Sequence, residues 1–150
     1  MHIFTMGFAK KSARLFFELV KQNEINLLLD VRLNNKSQLA GFTKYDDIVY
    51  FLKEICGCVY AHGVDFAPTK ELLDGYRDKK MDWPAYENAY KSLIHHRNTE
   101  NKFCDNFFTQ YAMHKHILLL CSESTADKCH RRLAAEILSG LHPALQVTHL

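Results

Sequence analysis

The sequence predicts an α/β fold, a single domain with a mainly parallel central sheet of four to five strands and helices on both faces. Three observations predict it. The aliphatic runs around Leu27 and Leu118 carry no polar alternation, which marks strands buried on both faces. Segments of helical spacing stand between the strand-like runs. The chain has 150 residues, 47% of them hydrophobic, which is enough for one core that needs no disulfide or metal to fold.

The elements follow in order. His2 to Met6 is a short β-type run ending at Gly7. Ser12 to Gln22 is helical, with Leu15, Phe16, Leu19 and Val20 on one face. Ile25 to Val31 is a buried strand, and Asn34 to Gln38 a loop. Tyr45 to Cys56 returns to helical period and stops at Gly57. Cys58 to Ala61 is a short strand. Lys70 to Arg77 and Pro84 to His96 are helices, the second with proline in its first turn. Asn98 to Asn101 is polar and predicts a loop, and Phe103 to Met113 a further helix. His116 to Leu120 is a strand. Thr125 to Ser139 is a helix with Thr125 as N-cap, Leu133, Ala134, Ile137 and Leu138 on its apolar face, and Gly140 as its stop. Leu145 to Leu150 is a last strand.

Composition narrows the function. Nineteen Lys and Arg against 17 Asp and Glu exclude a polybasic, broadly electrostatic nucleic-acid binder, while leaving room for a local phosphate pocket. No apolar run is long enough to span a membrane. The start reaches Lys10-Lys11 without a basic n-region, unlike a signal peptide. Five cysteines, an odd number, read as thiols or ligands in a reducing, cytoplasmic setting rather than as a disulfide framework.

Parallel sheets bind ligands at the carboxyl ends of their strands, and that is where this sequence keeps its chemistry. Gly7, then Asp30 and Arg32, then His62, then Cys121 follow successive strands. The richest stretch runs from Cys121 through Glu123 to Cys129, His130, Arg131 and Arg132. A strand passing into a helix start there offers unpaired N–H groups and a positive dipole end, suited to an anion or a thiolate. Cys121 and Cys129 are the candidate nucleophiles. A carboxylate and a guanidinium at Asp30 and Arg32 need partners if buried. One arrangement pairs Asp30 with Arg131 or Arg132 and turns Arg32 toward an anionic ligand; the other is a structural ion pair, or an Asp30 that caps the following loop. His62 is the candidate acid or base. Ser37, Gln38 and Phe42 lie in a long loop able to fold over the strand ends as a lid. Cys56-x-Cys58-x3-His62 and Cys121-x7-Cys129-His130 do not match the usual spacing of structural zinc, and no metal is expected. There is no G-x4-G-K-[ST], and no cofactor is expected.

Thr5-Met6-Gly7-Phe8, Asp30-Val31-Arg32, Ser37-Gln38-Leu39-Ala40-Gly41-Phe42, Tyr60-Ala61-His62 and Cys121-x-Glu123-x5-Cys129-His130-Arg131 resemble, in order, the motifs of domain of unknown function 488. The likeness spans Thr5 to about Leu138. Departures are Met6 for isoleucine, Leu33-Asn34-Asn35 where proline is common, and Gly63 for leucine. The resemblance implies one α/β domain and carries no activity. A more distant likeness is to rhodanese and the cysteine phosphatases, which also have a strand ending in Asp-Val-Arg and another ending in a catalytic Cys. Here Cys121 and Arg131 are ten apart, not the phosphatase C-x5-R.

Three readings stand open. One is an enzyme using Cys121 or Cys129 on an anionic sulfur- or phosphoryl-bearing substrate, with Gly7, Arg32, Ser37, Glu123, His130 and Arg131 binding it. The alternative is a module in which Arg32, Arg131, Arg132, Ser37 and a loop aromatic such as Phe42 hold a nucleotide or nucleic-acid phosphate without catalysis. The third is a cysteine-based redox or metal-binding regulator.

Overall fold

Five strands form one sheet in the computed structural model, which describes residues 1–37 and 40–150. They are β1 (His2–Gly7), β2 (Leu27–Asp30), β3 (Val59–His62), β4 (His116–Cys121) and β5 (Gln146–His149), in the order β3-β2-β4-β1-β5, and every pairing is parallel. The uninterrupted aliphatic runs split by strand alternation. Ile3, Leu27, Leu29, Ile117 and Leu119 face one core, and Phe4, Met6, Leu28, Leu118 and Leu120 face the other. Helices α1 (Ala13–Gln22) and α2 (Tyr45–Phe51) cover the second face through Phe16, Val20 and Ile48. On the first face lie α3 (Lys70–Arg77), α4 (Trp83–Asn101), α5 (Phe103–Gln110) and α6 (His130–Leu141), through Leu72, Tyr90, Phe107 and Leu133.

Several boundaries differ from the sequence reading: α5 ends at Gln110, α6 runs through Gly140, its expected stop, to Leu141, and three further differences have a clear physical cause. The segment after Phe51 widens into a π-helix, Leu52–Cys56, before Gly57 closes it at φ 62°. The polar Asn98–Asn101 stretch is the end of α4 rather than a loop. Burial of Tyr86, Tyr90 and Ile94 carries that helix, and Asn98 Oδ1 accepts from Cys104 N to start the next one. The last helix begins at His130 with Cys129 as N-cap, not at Thr125. Thr125 has Lys128 three residues on, where a capping box has Glu or Gln. No apolar residue between Thr125 and Lys128 is buried to hold an extra turn against the sheet.

The topology fixes where a ligand can sit. From β1 the chain passes through α1 to β2 on one side, and from β4 through α6 to β5 on the other. The connections leave the β4–β1 pair in opposite directions, which opens a crevice at the carboxyl ends of those strands. Gly7 and Cys121 are register partners there.

Candidate active site

Cys121 ends β4, and the chain then loops to α6, whose first residues return beneath it. The Sγ atoms of Cys121 and Cys129 and a ring nitrogen of His130 all lie within 4.8 Å of one another, and all three residues are buried. Cys121 Sγ is 3.7 Å from His130 Nδ1 and 3.8 Å from Nε2. His130 Nε2 donates to the Val31 carbonyl at 2.9 Å, which ties the ring to the end of β2 and turns Nδ1 to the sulfur. The late start of α6 makes this cluster. It places Cys129 at the N-cap and His130 in the first turn.

The electrostatics single out one thiol. A hydrogen bond from Cys129 drives Cys121 well below the usual thiol range, against the opposing effect of burial. The His130 charge and hydrogen bond and the Glu123 backbone N–H add to it. Cys129 moves up, because its proton is held by Cys121 and because it is buried. Burial opposes the imidazolium of His130, but the Cys121 charge and hydrogen bond outweigh it and the ring's pKa rises. The three shifts point the same way, toward the thiolate at Cys121, the thiol at Cys129 and the imidazolium at His130. By contrast, burial pushes Cys58 and Cys104 up to about 12 and raises Cys56. Those three behave as packed core thiols.

Gly7 and Arg131 hold the loop after Cys121 in place. A Cβ on Gly7 would lie 1.5 Å from the Glu123 carbonyl oxygen. The same oxygen accepts from Arg131 Nη1 at 2.7 Å. Arg131 is 1% exposed, and its Nε has no hydrogen-bond partner among the described residues. The expectation that Arg131 and Glu123 contact an anion therefore takes a different form. Arg131 lines neither of the clefts at Cys121. It fixes the Glu123 peptide, whose N–H supports the thiolate.

The first of the Asp30–Arg32 arrangements needs correction. Asp30 pairs with neither Arg131 nor Arg132 but with Arg32 itself, two residues on. Arg32 Nε donates to Asp30 Oδ1 at 2.8 Å, Nη2 to Oδ2 at 2.6 Å, and the Arg32 backbone N–H to Oδ1 at 3.1 Å. Arg32 Nη2 also donates to Thr43 O at 2.7 Å, and Tyr60 Oη donates to Asp30 Oδ2 at 2.8 Å. The chain turns at the end of β2, which lets neighbours in sequence meet as a two-pronged pair. Arg132 instead pairs with Glu87 and Glu136. His62 is exposed, and its Nε2 donates to the Arg32 carbonyl at 2.9 Å, so the structure brings it to the Arg32 backbone rather than to Cys121. Phe42 packs against Phe16 and Phe17 in the core instead of covering the site. Gln38 lies outside the described residues. Cys56 and Cys58 pack on the α1–α2 face and do not join Cys121.

Two clefts meet at Cys121, Ser122 and His130. The smaller, about 490 Å³, is lined by Phe8, Arg32, Ser37 and Lys70, among others. The larger, about 860 Å³, has Arg77, Lys79, Lys80 and Lys128 against Asp82 and Glu123, with Tyr76, Trp83 and Tyr86 as an aromatic wall. Arg77 belongs to both. This wall was not foreseen as part of the site, although the chain's one tryptophan beside Lys79-Lys80, just before Pro84, was a signal.

Cys121, Cys129 and His130 also form a donor set for a soft metal ion, two thiolates and an imidazole, with the clefts leaving a fourth position open. Among the described residues, no helix is long and apolar enough to cross a membrane. In comparisons with known proteins, the family model described as "Domain of unknown function DUF488" matches residues 12–138. No curated protein matches. No solved structure matches.

Proposed function

The chain belongs to the domain of unknown function 488 family, and from its Cys121–Cys129–His130 cluster we propose a thiol enzyme acting on an anionic, sulfur- or phosphoryl-bearing substrate. The observation that carries this reading is a thiolate-favouring cysteine where two clefts meet at the sheet's switch point. Cys121 attacks the electrophilic atom. His130 and the Glu123 N–H stabilise the attacking sulfur and then help it depart. The Lys and Arg side chains of the larger cleft draw the anion in. Five free cysteines favour a reducing, cytoplasmic compartment.

The test is the alkylation rate of Cys121 against pH, read by peptide mass mapping, with and without phosphate. Cys121 reacts well below the pH of a free thiol with pKa ~8.5, and phosphate slows it. Labelling of Cys121 only after denaturation would overturn the reading.

A second reading rests on the same donor set, which suits zinc as well as it suits covalent chemistry. Elemental analysis of purified protein separates the two. One zinc per chain, lost in Cys129→Ala, turns Cys121 from nucleophile into ligand. The non-catalytic phosphate-binding alternative loses its expected anchors, since Arg32 is held by Asp30 and Arg131 by Glu123. It would have to use the Arg77–Lys128 rim instead.

A further inference from the structure

We propose that Cys121 and Cys129 act as a nucleophilic and a resolving thiol, and that the substrate is an anionic disulfide which the protein reduces. This rests on Cys121 being the nucleophile and narrows the substrate from sulfur or phosphoryl to sulfur.

The cluster favours sulfur for three reasons. A phosphoryl group needs free cations and N–H groups behind the nucleophile, yet the guanidinium of Arg131, in the first turn of α6, is buried and bound to the Glu123 carbonyl. The residue at the N-cap of that helix is a second thiol, Cys129, whose sulfur lies beside Cys121. A second thiol beside the first supports the thiolate whatever the substrate, but only a mixed disulfide gives it a bond to break. Both cysteines line the larger cleft, so the mixed disulfide and its resolution share one space. Four cations against two carboxylates in that cleft favour a substrate with acidic ends.

The chemistry balances. The Cys121 thiolate attacks one sulfur of R–S–S–R, the substrate bond breaks, and RS⁻ leaves. Cys129 then gives its proton to the departed thiolate and attacks the Cys121 sulfur, displacing the second RS⁻. Two protein thiols are oxidised to one disulfide, and one substrate disulfide is reduced to two thiols. An external dithiol of the reducing compartment restores the protein.

The experiment incubates the reduced, full-length protein with glutathione disulfide, which is anionic, or cystamine, which is cationic, and maps the products by mass spectrometry. The wild type ends with an internal Cys121–Cys129 disulfide. Cys129→Ser and Cys129→Ala accumulate glutathione on Cys121, and Cys121→Ser accumulates none at this site. At low salt the anionic disulfide reacts about tenfold faster or more, and added salt narrows the gap. Wild type that stops at the mixed disulfide overturns the resolving role and leaves Cys121 a nucleophile. Equal rates for the two disulfides overturn the anionic substrate. A Cys121 inert both to disulfides and to alkylation removes the nucleophile itself, and both proposals with it.

Discussion

Replacing Gly7 by alanine tests how the site is held together. The added Cβ would sit 1.5 Å from the Glu123 carbonyl oxygen and 3.0 Å from Arg131 Nη1. The Glu123 peptide must move by more than an ångström. Its charge-assisted hydrogen bond from Arg131 is then broken, at about 1.5–3 kcal/mol. Crowding in a packed interior adds about 1–3 kcal/mol. The expected loss is about 3–6 kcal/mol, a large share of the ~5–15 kcal/mol that holds a domain folded. In urea, with a slope of ~2 kcal/mol/M, the midpoint falls by about 1.5–3 M. The Glu123 N–H leaves the Cys121 sulfur with the peptide, so the thiol's titration also shifts upward. Gly140→Ala is the control, since no described residue lies within 4 Å of its added Cβ; its midpoint does not fall. A Gly7→Ala protein within about 0.5 kcal/mol of wild type, with unchanged Cys121 alkylation, would refute the argument.

Asp30→Asn leaves the Arg32 charge buried without its partner and destabilises by about 3–5 kcal/mol in urea unfolding, whereas Tyr60→Phe removes one of several donors and loses about 1 kcal/mol. His130→Asn removes the positive charge beside Cys121, so the pH midpoint of Cys121 alkylation rises; Cys129→Ala raises it as well, by removing the largest stabilising contact. Because the folded Cys121 value is lowered, its contribution to stability is complete above the unfolded value of ~8.5 and is lost as pH falls through the folded value. As pH falls from ~8.5 toward the folded value this contribution disappears, and Cys121→Ala has none to lose; urea titration at each pH reads the difference. His130, raised on folding, contributes fully below ~6.5, and its share disappears as pH rises through its folded value.

The strands were legible because double-sided burial erases polar alternation. Leu27–Asp30 and His116–Cys121 could hardly be anything else in an α/β chain. The strand-end rule then put Gly7, Cys121 and the Cys129–His130 pair in one neighbourhood. Other features depended on geometry that no spacing encodes. Sequence offers Asp30 arginine partners on a distant helix as readily as one nearby, while the turn after β2 delivers Arg32 from two residues away. The start of α6 was placed at the first capping-type residue, whereas burial of Leu133, Ala134 and Leu138 decides it. That shift matters chemically, because it makes Cys129 the cap beside Cys121. The Tyr76–Trp83–Tyr86 wall comes from two helices that read only as amphipathic, and it faces Cys121 only after the whole first face has packed.

The strand order has a consequence for how this protein comes into being. β1 is flanked only by β4 and β5, both made long after it. At synthesis rates of ~5–20 residues per second, roughly 6–20 s pass before β4 exists to pair with it. For that interval an apolar strand has two open edges, while α1, β2, α2 and β3 are already available to associate locally. The delay also guards the chemistry. Cys121 sits on the strand that closes the sheet's centre, and Cys129 and His130 follow it, so no chain that stops short of α6 carries the activated thiol. Reactivity arrives together with the last long-range contacts, and a chain that stalls before β4 is an aggregation hazard without being a stray nucleophile.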